Sequence, residues 1–198
     1  MWSRLFLLFI LSATSPALLS PSRLAMQFEK PADNNLPDTI YWSPDIRLHW
    51  VDFRGDINHN SPYSAYTSTI ISLKYSFRIQ DKKVIPDFQV HAMFNCNKSW
   101  ARKDLPDRLT DDLLQHEQLH FDLAELVARK LKKALLEQDY TQKNYEFKIS
   151  AIRKRIITDG DRMQERYDIE TGHGSNKKEQ QLWIAKVESE LNRYSKWR

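Results

Sequence analysis

Three residues near the middle of the chain have the types and the spacing of a metal-dependent hydrolytic site. His116, Glu117 and His120 form the pattern H-E-x-x-H. On an α-helix each residue advances by about 100°, so residues four apart differ by roughly 40° and lie on one face. His116 and His120 can therefore direct their imidazoles at one zinc ion. Glu117 lies between them, where it can act as a general base on a metal-bound water.

The segment Asp107–Gln138 is predicted to be the long helix that carries this pattern. Pro106 suits its first turn, and acidic residues suit its positive N-terminal end. A helical projection puts both histidines and Glu117 on the apolar stripe, and it puts Gln115, Gln118, Asp122, Arg129 and Lys133 on the opposite side. Asp122 and Glu125 are therefore not expected to be ligands. Because burying unpaired polar groups costs roughly a few kcal/mol each, the stripe predicts either a metal ion or a buried His–Glu–His hydrogen-bond cluster.

A second helix is predicted after a turn near residue 139, with a cap at Asp139 or Thr141. Its apolar stripe consists of Ile149, Ile152, Ile156, Gly160, Met163 and Tyr167. A short turn makes the two helices antiparallel neighbours, and counting from the turn puts Gly160 opposite Gln118. Gly160 either allows the helices to approach closely or ends the second helix.

Further site residues are expected where this second helix returns to the histidines. His173 is flanked by two of the chain's four glycines, and a tight loop there would make it the third metal ligand. An exposed loop histidine is the alternative, with Asp168 or Glu165 as the oxygen ligand. Tyr167 either donates a hydrogen bond to a developing oxyanion or is a core tyrosine.

The rest of the chain predicts an α+β fold. Residues 39–97 are rich in strand formers and indicate a small antiparallel sheet of three to five strands. The predicted strands are Ile46–Phe53, Ser64–Ile79 and Val84–Phe94. A third helix is predicted over Lys177–Trp197, capped by Ser175 or Asn176. The N-terminal sheet would pack with a three-helix half over residues 104–197, and the two would form a single zincin-like domain over residues 39–198.

The N-terminus predicts export from the cell. Residues 1–17 have the positive start, apolar run and small residues of a signal peptide, and residues 18–38 read as an extended linker. The apolar run is much shorter than the roughly 20 residues of a membrane span, so no stable span is expected after cleavage. The net charge of +4 is spread out and does not indicate nucleic-acid binding. A secreted or periplasmic location is predicted.

Several separated motifs give the chain a resemblance to a bacterial family, domain of unknown function 922 (DUF922), whose members are often labelled secreted zinc-dependent proteases. The motifs are Leu48–Gly55, Ser64–Thr67, Ser99-Trp100, Leu113–Asp122 with Ala124-Glu125, Tyr167-Asp168, Thr171–Gly174, Gln181 and Trp183. They extend over roughly residues 40–197. The resemblance implies a metal site at His116 and His120 with Glu117 as the catalytic residue, and it implies no particular substrate.

The sequence thus predicts a zinc metallopeptidase of the bacterial cell envelope that acts on a peptide or protein. Zn²⁺ would be held by His116, His120 and His173, with Glu117 and Tyr167 as the catalytic residues. A second hypothesis is a non-catalytic envelope protein in which a structural metal or a His/Glu network supports a binding module. A third is another metal-dependent hydrolase, because the same activated water attacks esters and amides.

Overall fold

The structure of the chain is a computed structural model that describes residues 37–80 and 83–198. The strands in these residues are β1 (Thr39–Tyr41), β2 (Ala65–Tyr66), β3 (Thr69–Gln80), β4 (Lys83–Asn95) and β5 (Trp100–Ala101). The helices are α1 (Asp111–Leu136), α2 (Tyr145–Thr171) and α3 (Lys177–Arg193). The predicted α+β fold, with a small antiparallel sheet and three helices, is confirmed.

The larger sheet has the strand order β1-β4-β3, and all its pairs are antiparallel. Its central strand β4 alternates along its length, so that Phe88, Val90, Ala92 and Phe94 are buried while the residues between them face outward. The buried side chains face α1, where Phe121 packs against Phe94. Strands β2 and β5 form a separate two-stranded sheet beside the start of β3.

Residues 46–53 do not form the predicted strand. Of the apolar residues in this segment, Leu48 and Phe53 are buried in the core. Between them, Trp50–Asp52 forms a single 3₁₀ turn, in which the Asp52 carboxylate accepts a hydrogen bond from the backbone N–H of His49 at 2.7 Å. Local capping chemistry overrides the strand pattern at this point.

Helix α1 begins at Asp111 and ends at Leu136, so the predicted limits Asp107 and Gln138 are both wrong. The Thr110 hydroxyl accepts a hydrogen bond from the backbone N–H of Leu113 at 3.2 Å and caps the helix. The preceding segment Pro106–Arg108 is a separate 3₁₀ turn.

Helix α1 is covered on both sides, which corrects the prediction of a single inward stripe. Gln118 and Asp122, expected to face away from the core, contact the segment that follows β1. The Gln118 side-chain oxygen accepts from the backbone N–H of Leu48 at 2.8 Å, and Asp122 accepts from the indole N–H of Trp42 at 2.8 Å. Arg129 is also buried. The polar side of α1 is therefore covered by the segment after β1, whereas its apolar residues pack against the sheet on one side and against α2 and α3 on the other.

Helix α2 is continuous through Gly160, so this glycine does not end the helix. It is buried against α1, and a Cβ added to it would lie 2.8 Å from Cγ2 of Val127. The close approach of the helices is thus confirmed, but the expected partner Gln118 is wrong. The loop between α1 and α2 extends to residue 144, and Asn144 rather than Asp139 or Thr141 is the N-cap. This longer loop shifts the pairing along α1.

Helix α3 is shorter than predicted, because Lys177–Arg193 is followed by a separate 3₁₀ turn at Ser195–Trp197. The predicted cap Asn176 is confirmed by the hydrogen bond that its side chain accepts from the backbone N–H of Glu179 at 3.3 Å. Across residues 37–80 and 83–198, no helix is both long and apolar enough to cross a membrane. The predicted signal peptide and the predicted linker as far as residue 36 lie outside the described residues, so the division into residues 1–17, 18–38 and 39–198 stays a prediction.

Candidate metal centre

Three potential ligand atoms converge between α1 and α2. The Nε2 atoms of His116 and His120 lie 3.2 Å apart. Oδ1 of Asp168 lies 3.1 Å from the first and 2.9 Å from the second. One turn of α1 supplies both imidazoles, and the last two turns of α2 supply the carboxylate.

The spacing and chemistry of this group fit a metal ion. Ligand atoms at about 2.0–2.1 Å from a tetrahedral ion are separated from one another by roughly 3.3 Å. The observed separations of 2.9–3.2 Å are close to that value. Two imidazoles and one carboxylate form a ligand set that leaves a coordination position for water or substrate in catalytic sites. His116, His120 and Asp168 can therefore hold a metal ion.

The electrostatics of the metal-free group show how tightly its members interact. Burial alone lowers the pKa of His120, but the hydrogen bond to Asp168 and the negative charge of Glu117 outweigh burial and raise it. Burial alone raises the pKa of Asp168, yet the hydrogen bonds from both imidazoles bring it well below its usual range. Asp168 is therefore ionised, which is the form of a carboxylate that ligates a metal ion.

Glu117 is a buried carboxylate beside this group. Its side chain lines the cleft, the residue is 4% exposed, and its Oε2 atom has no hydrogen-bond partner among the described residues. An unpaired carboxylate oxygen in a buried position is costly unless a water, an ion or a substrate satisfies it. Glu117 lines the same cleft as the three residues that supply the converging atoms.

The cleft has a volume of about 1470 Å³ and runs between α2 and residues 62–71. His116, Glu117 and His120 form part of its floor, together with Ala124 and Val127 further along α1. This volume exceeds the roughly 300–1000 Å³ of sites that enclose a small ligand. The cleft is therefore large enough for a segment of a polymer.

His173 lies at the rim of the cleft. Its backbone has φ 52°, between Gly172 at 54° and Gly174 at 83°, so the predicted tight glycine-flanked loop is present. The imidazole stacks on Tyr63 at 4.3 Å between ring centroids, and its Nδ1 lies 3.6 Å from Oδ1 of Asp168. His173 does not belong to the three-atom group, and its ligation of a metal stays a prediction.

Gly174 and Glu165 both line the cleft. A Cβ at Gly174 would lie 3.1 Å from Cβ of His116, so this glycine allows the loop to close over the imidazole. Glu165, the other predicted oxygen ligand, is exposed at the cleft wall and lies outside the three-atom group.

Tyr167 is fully buried behind the two histidines. Its ring stacks on the His116 imidazole at 4.6 Å, and its hydroxyl lies 2.8 Å from Oε1 of Gln180 and 3.2 Å from the carbonyl oxygen of His116. Burial is the largest cause of its strongly raised pKa. The predicted oxyanion contact stays a prediction, and in this structure the hydroxyl faces these two acceptors.

Two glutamines near the histidines were not predicted from the sequence. Oε1 of Gln164 on α2 lies 2.6 Å from Nδ1 of His120, and Oε1 of Gln180 on α3 lies 3.2 Å from Nδ1 of His116. Helical phase was a signal for the first of them. Gln164 follows Gly160 by four residues, which puts it within roughly 40° of the glycine on the face toward α1. The contact of Gln180 depends on how α3 docks, which has no local sequence signal.

Comparison with known proteins identifies the family of the chain. None of the curated proteins matches the chain, and no solved structure matches it. The family model described as "Bacterial protein of unknown function (DUF922)" matches residues 50–174, a segment that includes His116, Glu117, His120 and Asp168. The match extends over more than half of the chain, and the chain belongs to the DUF922 family.

Proposed function

We propose that the chain is a zinc-dependent metallopeptidase of the bacterial cell envelope, with a zincin-like H-E-x-x-H site. The observation that carries the proposal is the buried Glu117 carboxylate, which has an oxygen without a described partner and lines the same cleft as the three converging ligand residues. A site that only bound a metal for stability would not need this unpaired acid. The envelope location rests on the predicted signal peptide.

In this proposal His116, His120 and Asp168 hold the zinc ion. When bound, zinc polarises a water and a substrate carbonyl, so that water loses a proton near neutral pH. His173 lies at the rim beside Asp168, and a movement of its loop toward the centre would allow it to ligate the same ion. Since the Tyr167 hydroxyl is hydrogen-bonded behind His116, its role is to position that imidazole.

Glu117 has the proton-transfer role. Its carboxylate accepts the proton of the attacking water and then delivers it to the leaving amine, so that no net proton is gained or lost by the protein. The surrounding burial keeps bulk water away from this carboxylate, which strengthens its interactions with the reacting groups. The wide cleft fits a polypeptide better than a small ligand.

Metal analysis and peptide cleavage test this proposal together. Purified wild-type protein should contain about one zinc ion per chain, as is usual for a single set of three protein ligands. His116→Ala and Asp168→Ala should lose the ion. Glu117→Gln should keep it and lose cleavage of a mixed peptide library by a factor of about 100 or more. Glu165→Gln, a neighbouring carboxylate outside the group, is the matched control and should retain both properties.

The outcomes separate the hypotheses. A wild-type protein without stoichiometric metal would refute the metal site itself. Stoichiometric zinc without cleavage of peptides, folded proteins or cell-wall peptides would favour the non-catalytic binding module. Cleavage of ester but not amide substrates would reassign the reaction to another metal-dependent hydrolase.

A further inference from the structure

Each metal-ligand histidine has a glutamine amide behind it. The ring nitrogens that face Asp168 are the Nε2 atoms, and the opposite Nδ1 atoms face Gln164 and Gln180. The two glutamines come from different helices, α2 and α3. An imidazole that ligates a metal through one nitrogen usually donates the other N–H to an acceptor, and this contact sets the tautomer.

The orientation of the Gln164 amide follows from its second contact. Its Nε2 lies 3.0 Å from the backbone carbonyl oxygen of His120, which can only accept. The amide NH₂ must therefore face that carbonyl, and the amide oxygen faces Nδ1 of His120 at 2.6 Å. An oxygen acceptor at this distance requires a proton on Nδ1. Once the proton that Nε2 shares with Asp168 is released, the ring stays in the Nδ1–H form and its Nε2 lone pair is directed at the Asp168 side.

Gln180 makes the matching contact from α3. It is 3% exposed, and its Oε1 lies within hydrogen-bond distance of both the Tyr167 hydroxyl and Nδ1 of His116. The Tyr167 hydroxyl is 2.8 Å from this oxygen and 3.2 Å from the carbonyl oxygen of His116, and the shorter contact holds the amide oxygen toward the imidazole. The Nε2 of Gln180 has no hydrogen-bond partner among the described residues. With Nδ1 of His116 protonated, release of the proton that its Nε2 shares with Asp168 frees the Nε2 lone pair as well.

We infer that Gln164 and Gln180 are positioning residues that hold both histidines in the Nδ1–H tautomer, with both Nε2 lone pairs directed at one metal position. The inference deepens the proposed metal site and rests on it. Because the acceptors are neutral amides and not carboxylates, they fix the rings without adding negative charge to the centre. It also makes α3 a part of the site, although Gln180 lies beyond residue 174, where the family match ends.

The first test measures metal affinity with Zn²⁺ and a competing chelator. Gln164→Leu and Gln180→Met should each weaken Zn²⁺ binding by about 10–100-fold, the usual effect of losing a ligand's outer hydrogen bond. Gln180→Glu keeps an acceptor at the same place and should retain most of the affinity, because the Gln180 Nε2 that it replaces has no hydrogen-bond partner among the described residues. Gln181→Leu is the matched control. The Gln181 side chain donates a hydrogen bond to Oε1 of Gln115 and so joins α3 to α1, as Gln180 does, but it contacts no histidine.

The second test reads the tautomers directly in the metal-free Asp168→Ala protein, which lacks the carboxylate that competes for a proton on each Nε2. The chain has six histidines, so ¹⁵N NMR of the side chains at alkaline pH can assign each ring. His120 and His116 should show Nδ1–H when both glutamines are present, and each should lose that preference when its own glutamine is replaced. Thermal unfolding of every variant checks that it is folded.

Three results would overturn the inference. The first is wild-type Zn²⁺ affinity in the folded leucine and methionine variants. The second is weakened affinity with unchanged tautomers. The third is loss of affinity in Gln180→Glu equal to that in Gln180→Met. A wild-type protein that binds no Zn²⁺ would instead refute the proposed function, while the tautomer measurement would still report on the glutamines.

Discussion

Replacing Gly160 with alanine should destabilise the protein and disturb the metal-ligand group. The added Cβ would lie 2.8 Å from Cγ2 and 3.0 Å from Cγ1 of Val127, whereas ordinary contacts begin at 3.4 Å. Either the helices separate locally by roughly half an ångström or more, or Val127 leaves its rotamer. Valine in a helix has one strongly preferred χ1 value, so the second response is also costly.

The expected size of the effect follows from two opposing contributions. Overpacking a buried contact costs roughly 1–3 kcal/mol. Alanine in place of glycine within a helix stabilises the folded state by about 1 kcal/mol. The free energy of unfolding of Gly160→Ala should therefore fall by roughly 0–2 kcal/mol, despite the better helix former. Because Asp168 lies two turns further along α2, the same displacement should weaken Zn²⁺ binding.

Chemical denaturation and Zn²⁺ titration of a double-mutant cycle measure both effects. Val127→Ala opens the space that the new methyl group needs, so the double variant should be more stable than the sum of the single changes by about 1–2 kcal/mol. Thr158→Ala, on the exposed side of α2, is the matched control. If Gly160→Ala is instead about 1 kcal/mol more stable than wild type, as propensity alone dictates, and shows no coupling to Val127, the close-contact argument is refuted.

Two further changes test the surroundings of α1 and α3. Arg129→Met should cost roughly 3–5 kcal/mol at neutral pH because it leaves the buried Glu125 carboxylate without its 2.8 Å partner. Burial already raises the pKa of Glu125, and an acid with a raised folded pKa loses stability as pH rises through that value. Denaturation of Arg129→Met at several pH values should therefore show a smaller loss in acid, and an equal loss at every pH would contradict this reasoning. Asn176→Ala removes the cap of α3 and should lower the free energy of unfolding by about 0.5–2 kcal/mol; Asn192→Ala, an exposed control at the other end of α3, should have little effect.

The sequence predicts elements well where periodicity reports burial directly. Strand β4 alternates in burial as its residues alternate in polarity, and α1 carries its histidines on the side where the projection puts them. The prediction fails where a local side-chain hydrogen bond competes with the strand or helix that the periodicity indicates. The His49–Asp52 contact replaces a strand by a 3₁₀ turn, and the Thr110 cap moves the start of α1 by one turn.

Burial of the polar side of α1 was not predictable from that helix alone. Gln118 and Asp122 are polar and would ordinarily face solvent, but the segment after β1 offers an N–H group to each of them. A projection of one helix identifies an apolar side and carries no information about a partner that satisfies the polar side. Long-range hydrogen bonds of this kind join residues about 70–80 positions apart in the chain and leave no local pattern.

The choice among Asp168, Glu165 and His173 depends on the rotation of α2 about its own axis, and Gly160 determines that rotation. With Gly160 against Val127, residues four and eight positions later lie within roughly 40° and 80° of the same direction, whereas the residue five positions later lies roughly 140° away. Gln164 and Asp168 therefore turn toward the histidines, and Glu165 turns toward the solvent. A turn later, left-handed backbone at Gly172–Gly174 ends the helix and brings His173 back to the rim. The glycine that permits the close helix contact thus also selects which acid reaches the metal-ligand group.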